Sequence, residues 1–381
     1  MKALGKTIKI ILTFFVFAGF QSGFVFAASS PALEKRITEL EKQMANQQDG
    51  FRPAQISDRI KLSGAIEMDY SYSDDSDLSD RSAGNSTSDL DVGTVELGLE
   101  AGLHEYVTAS VLLKGEALDS DTRVFWDEAF FEIKKQDFPL YLVAGKRVQP
   151  FGSFENLFIN DPITCELYEI NDTGLTIGFA DEAVFNLDVS FTLYKGETLI
   201  TKLNDAGVGW SRNNTAGYTV SNDVNSYIVS TSIEPMQNLL LSVSYNSEPG
   251  DTDRNTTLGG ALHARALNFI LDLEYIRALS RERHVADNKE YTENAWVVSL
   301  GYQILDPLLV AVRYEFFDAD KTSAGNLENR YSIGAVYTLF EKDSFVCSLM
   351  GEYRSSAFET PAGSSNDDKA DEFFTRIAIE F

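Results

Sequence analysis

Histidine and cysteine are nearly missing from this sequence, with three His and two Cys among 381 residues. His104, His263 and His284 are scattered and show no metal-ligand spacing, so no histidine-based metal site is expected. Cys165 and Cys347 make no disulfide framework for a secreted chain. Beyond the first segment there is no run of about 18 apolar residues, which excludes spanning helices. Positive charge is also in deficit: 32 Lys and Arg against 58 Asp and Glu give a net charge of −26. A chain this acidic is a poor partner for nucleic acid. No nucleophile stands beside a His or an acid at matching depth, and no phosphate cradle or paired-cysteine motif occurs. The reading is of a non-enzyme without a cofactor.

What is present begins with the N-terminus. Lys2, Lys6 and Lys9 precede an apolar stretch from Ile8 to Phe20, and Val25-Phe26-Ala27 offers a small-residue cleavage site. Residues 1–27 therefore read as a signal peptide, the competing reading being an uncleaved anchor helix. Removing three lysines and no acids takes the charge from −26 to −29. In residues 28–58, Leu33, Ile37, Leu40 and Met44 recur at spacings of four, three and four, an a/d heptad seam opened by Pro31. So short a helix is marginal alone. It is expected either to assemble with copies of itself, as in a homotrimer, or to pack on its own barrel.

From about Ile60 the period becomes two. Phe185, Leu187, Val189, Phe191 and Leu193 share one face against Asn186, Asp188, Ser190 and Thr192. Tyr331 to Leu339 and Phe345 to Tyr353 alternate likewise, putting Cys347 on the apolar face and Cys165 in a loop. Sixteen strands are expected, starting near 60, 90, 104, 123, 139, 172, 183, 223, 236, 255, 267, 290, 306, 328, 343 and 370. Every second connection is tight, marked by Gly102-Leu103, Gln136-Asp137, Asp181-Glu182, Glu234-Pro235, Asp306-Pro307 and Glu341-Lys342. The others are long and polar, such as 73–87, 195–222, 280–289 and 358–369. A soluble sandwich gives no reason for that alternation, whereas an outer-membrane barrel has short turns on one rim and long loops on the other. An aromatic content of 12%, with 16 Tyr and 26 Phe, suits interfacial girdles. Phe373, Thr375, Ile377, Ile379 and Phe381 share a face, and a terminal aromatic is the feature the barrel-insertion machinery reads. The expected fold is all-β: a 16-stranded antiparallel transmembrane β-barrel over 59–381, preceded by a short helix or coiled coil. Its expected place is the Gram-negative outer membrane, in contact with outer-membrane lipid.

The informative loop is 148–171. It runs Lys146-Arg147-Val148-Gln149-Pro150-Phe151-Gly152-Ser153-Phe154-Glu155, then Asp161-Pro162-Ile163-Thr164-Cys165-Glu166-Leu167-Tyr168-Glu169. Phe151, Phe154, Leu157, Phe158 and Ile159 are too apolar for water, so the segment is expected inside the lumen, its ends stiffened by Pro150 and Pro162. One reading makes it a constriction, with Asp161, Glu166 and Glu169 meeting solute opposite Lys146 and Arg147. The other makes it a brace. Inward charges are expected at Glu67, Asp69, Glu96, Glu100, Lys114, Glu116, Glu128, Glu132, Asp188, Asp272, Glu274, Arg313, Glu315, Arg330, Glu352, Arg354 and Arg376. They either set a transverse field that sorts solutes or form ladders that hold the lumen open. With acids in excess, cations or neutral chelates are favoured over free anions.

The heptad helix, the strand ending Ala144-Gly145-Lys146-Arg147, the Pro150-Phe151-Gly152 turn, Asp161-Pro162-Ile163-Thr164 and Glu166-Leu167-Tyr168-Glu169 together resemble the LbtU-type siderophore porins. The resemblance implies uptake of a ferric siderophore, a small solute, without TonB-type energy coupling or a globular plug. Cys165 departs from the residue expected there. The alternatives are a general or substrate-selective diffusion porin for sugars, peptides or ions, and a purely structural or adhesive barrel.

Overall fold

The computed structural model describes residues 59–74, 86–118, 123–206, 208, 222–250, 253–283, 287–320, 326–359 and 368–381. The signal-peptide and heptad readings, with Leu33, Ile37, Leu40 and Met44, lie outside these residues. The strands run β1 (Ile60–Asp74), β2 (Ser86–His104), β3 (Val107–Glu116), β4 (Phe125–Lys134), β5 (Leu140–Val148) and β6 (Asn171–Asp181). Next come β7 (Leu187–Tyr194), β8 (Ser226–Met236), β9 (Leu239–Glu248), β10 (Asn255–Ala266) and β11 (Phe269–Ser280). The last are β12 (Glu293–Leu305), β13 (Leu308–Ala319), β14 (Leu327–Lys342), β15 (Phe345–Phe358) and β16 (Asp368–Glu380). Each strand pairs antiparallel with its sequence neighbours, and β16 returns to β1 to close the barrel.

Burial along the strands is inverted relative to a soluble protein. On β14, Tyr331 and Ile333 are 58% and 57% exposed, while Arg330 and Ser332 are 7% and 5% exposed. Apolar side chains face outward on a period of two, as lipid requires, and polar ones face the lumen. Every strand has a hydrogen-bonded neighbour on both sides in the closed ladder, which is why a barrel can cross a bilayer where an open sheet cannot. The closing seam is completed by Phe381, whose amide and carbonyl exchange 3.0 Å hydrogen bonds with Gly64.

Short connections alternate with long ones around the whole barrel, and every strand begins within four residues of its expected start. Two turns differ. Gly102 and Leu103 lie inside β2, so the turn falls at Glu105 and Tyr106. Glu234 and Pro235 lie inside β8, where proline cannot donate to the ladder and the register shifts between Ile233 and Met236. That turn is made at Asn238, with φ of 65°, by a residue that tolerates the left-handed region. On β5, Gly145 has φ of 136°, and a Cβ there would come 2.3 Å from the Ala129 carbonyl oxygen. Only glycine lets β4 and β5 pair so closely at the root of the long loop.

Candidate functional site

After β5 the chain turns into the barrel instead of over its rim. The turn is drawn tight at Gln149, whose amide donates to the Ile170 carbonyl at 2.7 Å. The loop then crosses the lumen from wall to wall. Gly152 donates to Ser244 Oγ at 3.2 Å, Ser153 to Glu274 Oε1 at 2.7 Å, and Asn160 to Glu352 Oε2 at 2.9 Å. Its return leg carries helix α1 (Ile163–Tyr168). Phe151, Ile163, Leu167 and Tyr168 join the inward-facing Ile228, Ile276, Val297 and Phe317 in an apolar cluster inside the barrel. Burial of each such side chain contributes about 1.5–3 kcal/mol. A soluble-type core thus fills one side of the lumen.

A second segment strengthens that filling. The connection after β7, expected to be a plain polar loop, carries helix α2 (Thr198–Asp205), with Leu199, Ile200 and Leu203 buried in the same cluster. Neither helix is capped by its own side chain. Barrel-wall glutamates do that work. Glu315 Oε1 accepts from the Ile163 amide at 2.6 Å, at the start of α1. Glu248 accepts from Leu199 at 2.9 Å and Ile200 at 3.0 Å, at the start of α2. A carboxylate is favoured at a helix N-terminus because its unpaired amides and dipole present positive charge. Lys202 of α2 in turn donates to the Cys165 carbonyl at 2.9 Å and the Glu169 carbonyl at 3.3 Å, at the end of α1.

Between loop and wall runs a line of alternating charge. Arg313 stands 3.4 Å from Glu352 and 3.3 Å from Glu315. Arg330 stands 3.0 Å from Glu166 and 3.6 Å from Glu315. Arg354 contacts Glu166 at 3.8 Å and Glu372 at 2.7 Å. Arg313 also donates to the Asn160 carbonyl at 3.0 Å and stacks its guanidinium 4.5 Å from the Phe158 ring centre. Arg313, Arg330 and Glu315 are expected to face the lumen, either sorting solutes or forming ladders, and all three point inward. They are only 2%, 7% and 0% exposed, because the loop covers them. Their role is to anchor.

The remaining predicted positions divide. Lys146 lies on the outer face, in register with Ala129 and Thr173, and donates to the Trp126 carbonyl at 2.8 Å. It therefore does not oppose the loop acids, since one step along a strand moves a side chain to the other face. Arg147 points inward, 5.8 Å from the Phe130 ring centre. Glu166 is engaged by arginines, and Glu169 accepts from Cys165 Sγ at 3.5 Å. Pro150 and Pro162 bracket the fold, Phe154 packs against the internal core, and Gly152 has φ of 82°. Of the two exposed loop acids, Glu155 lies near His263 and Asp272 and Asp161 reaches the open side of the lumen.

That open side is a cavity of about 550 Å³ between Ile159–Asp161 and the wall formed by β1, β2, β3 and β16. Its lining holds seven carboxylates (Glu67, Asp69, Asp89, Asp91, Glu96, Glu116 and Asp161) against two cations, Lys114 and Arg376. Both cations are already matched by acids. Arg376 forms a bidentate pair with Asp69 at 2.7 Å and lies 2.9 Å from Glu67, and Lys114 lies 2.8 Å from Glu116 and 3.5 Å from Glu96. The aperture is therefore strongly negative.

The sequence matches the family model for Gram-negative porins over residues 22–346. This chain belongs to that family. The porin is accordingly an outer-membrane channel. It is similar in fold to the anion-selective porin from Comamonas acidovorans, with a TM-score of 0.62 at 11% identity, covering 84% of this chain and 99% of that one. The outer membrane channel DcaP of Acinetobacter baumannii gives 0.59 at 13% identity, covering 84% and 96%. OmpF of Salmonella typhi, in a complex with daunomycin, gives 0.57 at 12%, covering 84% and 97%. No curated protein matches the chain by sequence.

Sequence reasoning missed Asp89, which precedes the expected strand start near 90, and Asp91, whose parity differs from that of Glu96 and Glu100 until the register shift opposite Glu67 and Met68 is taken into account. It missed Glu248 and α2 as well. A signal for α2 was available: Ile228, Ile276, Val297 and Phe317 break the polar face of four strands of the porin. Apolar residues pointing into a wet lumen require something to cover them.

Proposed function

We propose that this porin passes small cationic and neutral solutes by passive diffusion through the acidic aperture beside its inserted loop. The observation that carries this reading is the charge of the cavity lining, seven carboxylates against two cations that those carboxylates already neutralise. A cleft lined by one sign of charge concentrates ions of the opposite sign and repels like ones. Zero-current potentials across planar bilayers holding a KCl gradient test it. Potassium is expected to outrun chloride, and Asp89→Asn, Asp91→Asn and Asp161→Asn combined should move the potential toward zero. A chloride-selective wild type overturns the proposal.

The resemblance of the 146–169 segment supports a more specific cargo, a ferric siderophore taken up without energy coupling. The acidic aperture accords with neutral or cationic chelates over free anions. Iron-limited growth on the ferric siderophore, compared between deletion and complemented cells, decides; equal growth removes this cargo and leaves the diffusion reading standing. The apolar outer wall and Phe381 support delivery by the insertion machinery into outer-membrane lipid. A homotrimer held by residues 28–58 is the accompanying assembly, checked by cross-linking.

A further inference from the structure

Beneath the first leg of the loop, three side chains from three separate segments converge. His263 on β10 and Asp272 on β11 are cross-strand partners, and Glu155 reaches them from the loop. One ligand atom from each lies within 4.8 Å of the others. His263 Nδ1 contacts Asp272 Oδ1, and Arg265 Nε donates to His263 Nε2 at 3.1 Å. The second oxygen, Asp272 Oδ2, is buried without a hydrogen-bond partner, on a side chain only 8% exposed. A buried carboxylate oxygen left without a donor costs on the order of 1–3 kcal/mol. A cation bound beside that oxygen would offset the cost.

We propose that Glu155, His263 and Asp272 form a divalent transition-metal site that ties the inserted loop to the barrel wall. The donor set decides the class of ion. One imidazole and two carboxylates suit zinc-like ions, whereas magnesium and calcium prefer all-oxygen surroundings. Bonds of about 2.1 Å to a shared ion require donor atoms no more than roughly 4.2 Å apart. Any remaining closure is a small movement for Glu155, which is exposed on the loop. Glu274, whose Oε1 accepts from the Ser153 amide at 2.7 Å, holds that leg of the loop in place. A bound ion would occupy Nδ1, move the ring proton to Nε2 and turn Arg265 away. The site does not depend on which solute the porin carries. Its consequence is mechanical: loop and wall gain a shared ligand.

Isothermal titration of the full chain in detergent, without an affinity tag and with zinc chloride as probe, tests the assignment. One zinc ion per chain is expected to bind, with magnesium chloride failing to displace it. His263→Ala, Asp272→Asn and Glu155→Gln should each weaken zinc binding by at least about tenfold. His104→Ala, far along the chain at a short turn, should leave it unchanged. Circular dichroism of each variant confirms that the barrel has folded. Zinc affinity unaltered in the three ligand variants overturns the proposal, as does displacement by magnesium, which would indicate general attraction to the acidic aperture.

Discussion

Arg313 shows how one side chain can hold a loop by several means at once. Its guanidinium pairs with two wall glutamates, donates to the loop backbone and stacks on Phe158. Removing one member of a buried ionic cluster costs about 3–5 kcal/mol, because the partners stay behind as uncompensated charges. Arg313→Gln is therefore expected to loosen the loop, and Cys165 reports it. Burial pushes the Cys165 thiol well above its ordinary range, and the nearby Asp161 and Glu169 carboxylates push it further. Only the thiolate reacts, so a raised value means little labelling at neutral pH and a rate that climbs as pH rises. In a Cys347→Ala background, maleimide should scarcely label the folded wild type at pH 8, and the Arg313→Gln variant much faster. Equal rates would mean that the arginine does not hold the loop. The inward direction of Arg313 was legible from strand parity alone. Its concealment was not, since parity says nothing about what lies on top.

The two internal helices share a design at the scale of the element: each begins against a glutamate supplied by the wall. Eight residues of α2 and six of α1 are too few to be stable helices alone, so their order is borrowed from the barrel. Glu248→Ala would leave two α2 amides without their acceptor, while the Tyr194 hydroxyl, 2.7 Å from Glu248, would keep Asn246 Oδ1 at 2.8 Å. Hydrogen exchange at Leu199, Ile200 and Leu203 should accelerate strongly in this variant. Glu248→Gln, which keeps an acceptor but loses the charge, should show a smaller rise. Unchanged protection in both would assign α2's order to apolar packing. The strands were legible because each repeats one simple alternation many times over. The helices were not, because their stabilising partners are distant in sequence and local propensity does not reveal them.

The whole molecule pairs a net charge of −26 with an aperture of the same sign. Electrostatic selection of this kind weakens as salt shortens the Debye length from about 10 Å at 0.1 M to about 3 Å at 1 M. Cation preference should therefore be pronounced in 0.1 M KCl and fall substantially in 1 M KCl, as read from zero-current potentials at a fixed concentration ratio. A preference independent of salt would place selection in pore width instead. Similarity in fold to an anion-selective porin at 11% identity gives no guide here, because selectivity belongs to side chains that the fold leaves free to vary.

The apolar cluster inside the barrel has a thermal consequence. The loop and α2 contribute much of that cluster, yet neither takes part in the strand ladders that close the wall. Heating can thus melt the interior while the cylinder survives, so calorimetry should resolve a low-temperature event before the wall unfolds. Between the two transitions the molecule would be a wider, less discriminating hole.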